Sequence, residues 1–218
     1  MSFKIDLHTH SVLSPDGAIT ADHYRAMLKS RRLDCIAVTD HNSIDLALRL
    51  REELGAKIIV GEEITTKVGE VVGLFLSKTV PPNLGLAETV EHIREQGGVV
   101  YIPHPFETVR KGISEDDLTS IADEVDIMEV HNGRAIFQNR SIDAQAWADL
   151  HSVPGVASSD SHGFVGWGKT YTEVSEMPTV DNIVNVLKNA EYHYASPGLS
   201  GILYPKFNRL RKKWRHHA

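Results

Sequence analysis

Residues 3–10 read FKIDLHTH. Phe3, Ile5 and Leu7 alternate with Lys4 and Asp6, the period-two pattern of a β-strand with one buried face, and the run ends directly in His8, Thr9 and His10. Alternation predicts that Asp6, His8 and His10 share one face, with Phe3, Ile5 and Leu7 on the other. Two imidazoles two residues apart at a strand end can grip one ion.

The same arrangement recurs along the chain. Short β-branched runs at Phe3–Leu7, Cys35–Thr39, Lys57–Val60, Val99–Pro103, Val125–Val130, Val153–Ala157 and Thr170–Val174 predict seven strands. Helical patterns lie between them: Thr20 caps one running through Leu33, and Ser43 starts another that ends before Gly55. Others span Leu86–Gln96, Ile136–Leu150 and Val180–Ala190, and Thr66–Phe75 reads as a hairpin turning at Gly69. Strands alternating with helices indicate an α/β domain with a mostly parallel sheet, either closed into a barrel or left open.

Nearly every run stops at a residue that binds metals or protons. CIAVT leads to Asp40 and His41, KIIVG to Glu62 and Glu63, and GGVVYIP to His104. DIMEV leads to His131 and Asn132, and VPGVASS to Asp160, Ser161 and His162. In a parallel α/β barrel the C-terminal strand ends meet at one face, so these segments would deliver imidazoles and carboxylates into one cup. A nitrogen and oxygen donor set without thiolate favours Mn, Zn or Fe, and so many ligands imply more than one ion. Cys35 is the only cysteine, which excludes a disulfide framework and a Cys-based zinc site, and its apolar neighbours mark it as a buried thiol.

The motifs DLHTH with Asp16 close behind, VTDHNSI, GEEIT, IPHPF, EVHNGR and SSDSHG, in that order over residues 3–174, resemble the PHP (polymerase and histidinol phosphatase) superfamily of metal-dependent phosphoesterases. The resemblance implies a distorted seven-stranded (β/α)7, TIM-like barrel and the ligand set of a trinuclear site, occupied by two or three divalent ions (Mn, Zn or Fe). On that pattern His8, His10, Glu63 and Asp160 hold one metal. Glu63 bridges to a second, completed by His104 and Glu70, and Asp16, His41 and His162 hold the third. Glu70 replaces a histidine found in many relatives, which implies an altered metal preference, and Asp16 stands where some relatives have histidine. Asp6 and Asp40 are expected to orient neighbouring histidines.

The implied activity is hydrolysis of a small phosphomonoester, such as a nucleotide or sugar phosphate, by a metal-activated hydroxide. Arg134 is the first candidate for the phosphate anchor and Lys169 the second, with His131 as a general acid to the leaving group. Trp167 is a core residue or a wall of the substrate pocket. Two other functions follow from the resemblance: a phosphodiesterase or 5′-3′ exonuclease on short oligonucleotides, and a non-catalytic metal-binding scaffold.

The chain has 218 residues with 41% apolar and 24% charged side chains, suiting one large domain. Six of its 23 Lys and Arg residues follow Pro205, where no acid occurs, which leaves 17 cations against 29 carboxylates, a net of −12, in residues 1–205. The expected organisation is a single barrel of residues 1–205 followed by a basic tail of residues 206–218. That tail is a solvated terminus, docks on an acidic body, or contacts nucleic acid phosphates with Trp214 stacking; Phe207, Leu210 and Trp214 near one face also suit a membrane surface. No run approaches the ~20 apolar residues of a membrane span, and the N-terminus lacks signal-peptide order, so a cytoplasmic location is expected.

Overall fold

The computed structural model describes residues 1–135 and 138–216. Its strands are β1 (Phe3–Asp6), β2 (Cys35–His41), β3 (Ile58–Thr65), β4 (Glu70–Leu74), β5 (Val99–Ile102), β6 (Ile127–Asn132), β7 (Gly155–Ser158), β8 (Tyr171–Val174) and β9 (Glu191–His193). The helices are α1 (Ala21–Lys29), α2 (Asp45–Leu54), α3 (Leu86–Arg94), α4 (Glu115–Thr119), α5 (Ser141–His151), α6 (Ile183–Leu187) and α7 (Leu199–His216).

The strands form one mixed sheet in the order β7-β6-β5-β4-β3-β2-β1-β8-β9, curled into a nearly closed barrel. This corrects the expected strand count from seven to nine among the described residues. The additional strands are β4, the second arm of the hairpin at Gly69, and β9. Four neighbouring pairs are parallel, but β3–β4, β4–β5, β1–β8 and β8–β9 are antiparallel. The four residues between β3 and β4 are too few for a crossover helix, so the chain must turn back on itself. There Thr66 closes the turn, its backbone N–H and its hydroxyl both donating to the Gly69 carbonyl at 2.8 Å.

Closure happens between β7 and β8 through a side chain. The buried Thr172 hydroxyl accepts from the Ala157 N–H at 2.8 Å and donates to the Ala157 carbonyl at 2.9 Å, replacing one rung of backbone ladder. Higher on the seam, the His10 N–H reaches the Ser161 carbonyl at 2.9 Å. Gly155 permits the approach of β9, because a Cβ there would lie 2.7 Å from the Tyr192 hydroxyl.

Strand alternation sorts the core into two layers. Ile5, Leu7, Cys35, Ala37, Ile59, Val72, Tyr101, Ile127 and Val156 pack together inside the barrel. The intervening Ile36, Val38, Ile58, Val60, Ile102, Met128 and Val130 pack outward with Tyr24 and Met27 of α1, Leu50 of α2, Ile93 of α3 and Trp147 of α5.

Helix ends differ from expectation for local reasons. Thr20 caps α1 as its pattern requires, but the helix stops at Lys29, because Arg31 turns to φ 55°. Helix α2 is entered through Ile44 with no side-chain cap, α3 stops at Arg94, and α6 is one short turn. The expected start of α5 at Ile136 lies outside the described residues; Arg140 is its N-cap. Helix α7 carries Pro205 inside its span and includes the basic segment through His216. No helix among the described residues is long and apolar enough to cross a membrane.

Candidate metal centre

Nine side chains from seven segments converge at the barrel mouth. His8 and His10 follow β1, Asp16 precedes α1, His41 ends β2, Glu63 lies in β3, His104 follows β5, and Asp160 and His162 follow β7. Glu70 reaches the same end although it begins its strand, because antiparallel β4 pairs Glu70 with Thr65 at the end of β3. Glu63 is the hub: its Oε1 lies 3.4 Å from His8 Nε2 and 3.0 Å from His104 Nε2, and its Oε2 lies 3.3 Å from His10 Nε2 and 3.0 Å from His41 Nδ1. Its neighbour Glu62 points away and accepts from the Val80 N–H at 2.8 Å.

The donors fall into four groups: His10, Asp16, His41 and His162; His8, His10 and Glu63; His8, His104 and Asp160; Glu63, Glu70 and His104. Within each, one ligand atom per residue lies within 4.8 Å of the others. This set fits divalent ions. The Nε2 atoms of His8 and His10 face each other at 3.1 Å, and the buried Asp16 Oδ1, Glu63 Oε2 and His104 Nδ1 have no hydrogen-bond partner. Burying such atoms is costly without a cation to share them. Two donors sit on strained backbone, His104 at φ 30° and Asp160 at φ 49°, which the surrounding contacts must hold.

Those contacts are specific. Glu129, fully buried, faces His8 Nδ1 at 3.2 Å, accepts from the Tyr101 hydroxyl at 2.6 Å, and accepts from the His104 N–H at 2.6 Å. Asp40 accepts from the Ser11 hydroxyl at 2.5 Å and the Ser14 hydroxyl at 2.6 Å, and Ser14 lies 3.1 Å from His10 Nδ1, so Asp40 orients His10 through Ser14. Asp6 corrects the face prediction. β1 ends at Asp6 and the alternation breaks there, so Asp6 turns outward to the Ser159 hydroxyl at 2.6 Å and the Trp167 indole N–H at 2.9 Å. Burial pushes the Asp6 carboxyl up to about 6 despite these donors.

Charge at the cup is balanced by its own members. Burial opposes ionisation of Asp160, but Arg134 and His8 outweigh it and hold the carboxyl well below the usual range. Burial would lower His8, yet Asp160, Glu63 and Glu129 push it well above an ordinary imidazole. Glu70 is pushed up, first by burial and then by the charge of Glu63.

Above the donors lies a cavity of about 510 Å³, within the range of small-molecule sites. Four cations line it. Arg134 donates to both Asp160 oxygens at 3.2 Å; Arg110 donates to Asp160 at 2.9 Å, to Glu107 at 2.6 Å and to Asn132. Lys111 lies 3.7 Å from Glu70, and Arg209 of α7 donates to Asp16 Oδ2 at 2.6 Å. Of these four the sequence reading named only Arg134. Arg110 and Lys111 follow β5 as Arg134 follows β6, a signal present in the sequence; Arg209 has no such signal, being 193 residues from Asp16.

Two expected residues lie elsewhere. A bulge in β6, where Glu129 and His131 oppose consecutive Val156 and Ala157, shifts the alternation so that Glu129 and Asn132 face the cup. His131 instead stacks on Tyr194 with ring centroids 4.1 Å apart, and burial lowers its pKa. Lys169 is exposed and does not line the cavity. Of the two places expected for Trp167 it takes the core, fully buried against Tyr24, and does not wall the cavity.

Residues 6–97 match the PHP domain family and residues 142–192 the PHP-associated family. The uncharacterised protein MJ1587 of Methanocaldococcus jannaschii is 31% identical over 149 residues, covering 62% of this chain and 87% of that one. The chain belongs to the PHP superfamily. Among solved structures, a two-domain Bacteroides vulgatus protein containing a predicted PHP-like metal-dependent phosphoesterase superposes with a TM-score of 0.69 at 23% identity, covering 88% of this chain and 65% of that one. The lesion-specific endonuclease EndoQ of Pyrococcus furiosus superposes on the same PHP fold with a TM-score of 0.63 at 18% identity, covering 88% and 58%.

Proposed function

We propose that this PHP protein is a metal-dependent phosphoesterase that hydrolyses a small phosphomonoester. The observation that carries the reading is the joining, at one cavity, of four cations with seven of the nine metal-type donors, the remaining two, His8 and His10, being buried against Glu63. His8, His10, Glu63 and Asp160 would hold one ion, Glu63, Glu70 and His104 a second, and Asp16, His41 and His162 a third. Bound ions of this kind lower the pKa of water and polarise phosphoryl oxygens.

The chain's own residues do the rest. Arg134 and Arg110 present guanidinium groups beside Asp160, where their planar forks can take two phosphate oxygens each. Lys111, beside Glu70, and Arg209, beside Asp16, also line the cavity and would offset further negative charge on the substrate. Pro205 and Arg209 bring α7 into the cavity wall, which favours a compact substrate over a long strand.

The test is product analysis by mass spectrometry after incubating the Mn-loaded chain with nucleoside monophosphates, 3′,5′-bisphosphates, sugar phosphates, histidinol phosphate and a 5′-phosphorylated oligonucleotide. Inorganic phosphate released from a small molecule is the expected result. Nucleotides released from the oligomer would instead establish the phosphodiesterase or exonuclease reading. No product from metal-loaded protein would leave the scaffold reading.

A further inference from the structure

Helix α7 has two faces of opposite character. At about 100° per residue, Pro205, Asn208, Arg209 and Lys212 share one side, and this side is docked. Pro205 and Asn208 are buried, Asn208 donates to the carbonyls of Asp16 at 2.8 Å and His162 at 3.2 Å, and Lys212 donates to the carbonyls of Val12 at 2.8 Å and Ser14. Leu203, Phe207, Leu210 and Trp214 fall within an arc of about 60° centred about 180° away. All four are 57 to 74% exposed. They form a continuous apolar stripe about 16 Å long that nothing in the described structure covers.

Cations flank this stripe on both sides. Lys206 and Lys213 lie on one border and Arg211 on the other, all exposed, with no acid after Pro205. We propose that the outer face of α7 docks on an anionic lipid surface, its four apolar side chains entering the headgroup boundary and its flanking cations pairing with lipid phosphates. An apolar stripe with basic borders, ending in a tryptophan, is the arrangement that lies flat in a membrane interface.

Other occupants fit less well. A second copy laying its own α7 against this one would bring two acid-free basic segments together, where like charges repel. A nucleic acid strand would need its phosphates along the centre of the face, where Leu203 and Leu210 offer neither charge nor a stacking plane. An anionic bilayer satisfies both features at once, since surface potential attracts the cations by about fivefold in affinity for each. Because the inner face of the same helix carries Arg209 into the cavity wall, docking would also fix the cavity mouth relative to the surface.

The test uses the full chain and vesicles of phosphatidylcholine alone or mixed with phosphatidylglycerol. Trp147 and Trp167 are buried, so Trp214 supplies the environment-sensitive fluorescence. We expect co-sedimentation and a blue shift with the mixed vesicles only, weakened by salt. Phe207→Ser combined with Leu210→Ser should reduce partitioning at least about tenfold without altering the melting temperature, since both side chains are exposed. Lys206→Glu with Lys213→Glu should abolish the preference for the anionic lipid. Absence of a shift, equal binding to neutral vesicles, or a shift produced instead by an oligonucleotide or by raising protein concentration alone would overturn the proposal.

Discussion

Cys35 shows how one residue's surroundings set its chemistry. It sits inside the barrel with its neighbours Leu7, Ala37 and Ile59, and burial pushes its thiol up to about 12 from an ordinary value of 9. The folded protein should therefore resist a thiol-disulfide reagent at pH 8 and react fully once denatured, and rapid labelling of native protein would refute the burial. The sign of the linkage follows. Between pH 9 and 12 the folded state holds a proton that the unfolded state releases, so this contribution to stability is complete below pH 9 and is lost as pH rises toward 12. Arg134, by contrast, lines the cavity beside Asp160, where it is proposed to anchor phosphate. Arg134→Ala should lower kcat/KM by about 10²–10³ if it anchors the transferred phosphate. An unchanged kcat/KM would transfer that role to Arg110, which shares the Asp160 contact.

At the scale of elements, one hydroxyl, that of Thr172, joins β7 to β8 directly. Thr172→Val keeps the shape but leaves the N–H and carbonyl of Ala157 unpaired in a buried place, which should cost about 2–4 kcal/mol by denaturant unfolding. Thr172→Ser, retaining the hydroxyl, should recover most of that loss, and equal destabilisation by both variants would locate the effect in packing instead. The β6 bulge matters for the cup in the same way. It brings Glu129 and Asn132 to the inner face, three residues apart, and sends His131 out to Tyr194. Regular alternation in EVHNGR predicts the reverse for His131 and Asn132, so an element-level irregularity decided which side chain reaches Asp160.

For the molecule as a whole, folding gathers Asp16, Glu63, Glu70 and Asp160 with five histidines into a small buried volume. Binding of ions to that folded cup, and not to the unfolded chain, should raise stability by about 2.7 kcal/mol for a site at a hundredfold excess over its Kd. Chelator-treated protein is thus expected to melt below Mn-, Zn- or Fe-loaded protein, and elemental analysis should count two or three ions per chain. A single ion would contradict the division into neighbouring sites. Glu70→Gln should lower the count or change the preferred metal while leaving the fold intact, because Glu70 stands at a strand start where its oxygens face His41 and His104 rather than the core.

Seven of the nine donors, His8, His10, His41, Glu63, His104, Asp160 and His162, were legible in the chain because each lies in or just after the end of a strand, which can be read from a short run of local alternation and the polar residue that stops it. The hairpin at Gly69 and the capping of α1 by Thr20 were legible for the same reason. Asp16, in the loop before α1, and Glu70, at a strand start, were named only through the resemblance to the PHP superfamily. Tertiary structure decided what local pattern does not encode. Asp6 left the face of His8 and His10 because the strand ended there and Ser159 and Trp167 offered donors across the seam. Lys169 fell outside the cavity, and Arg209 entered it from the far end of the sequence on a helix that only the folded body positions. The nine-stranded count depended on pairing across the sheet, since β9 is three residues long and is defined by its partner β8 rather than by its own composition.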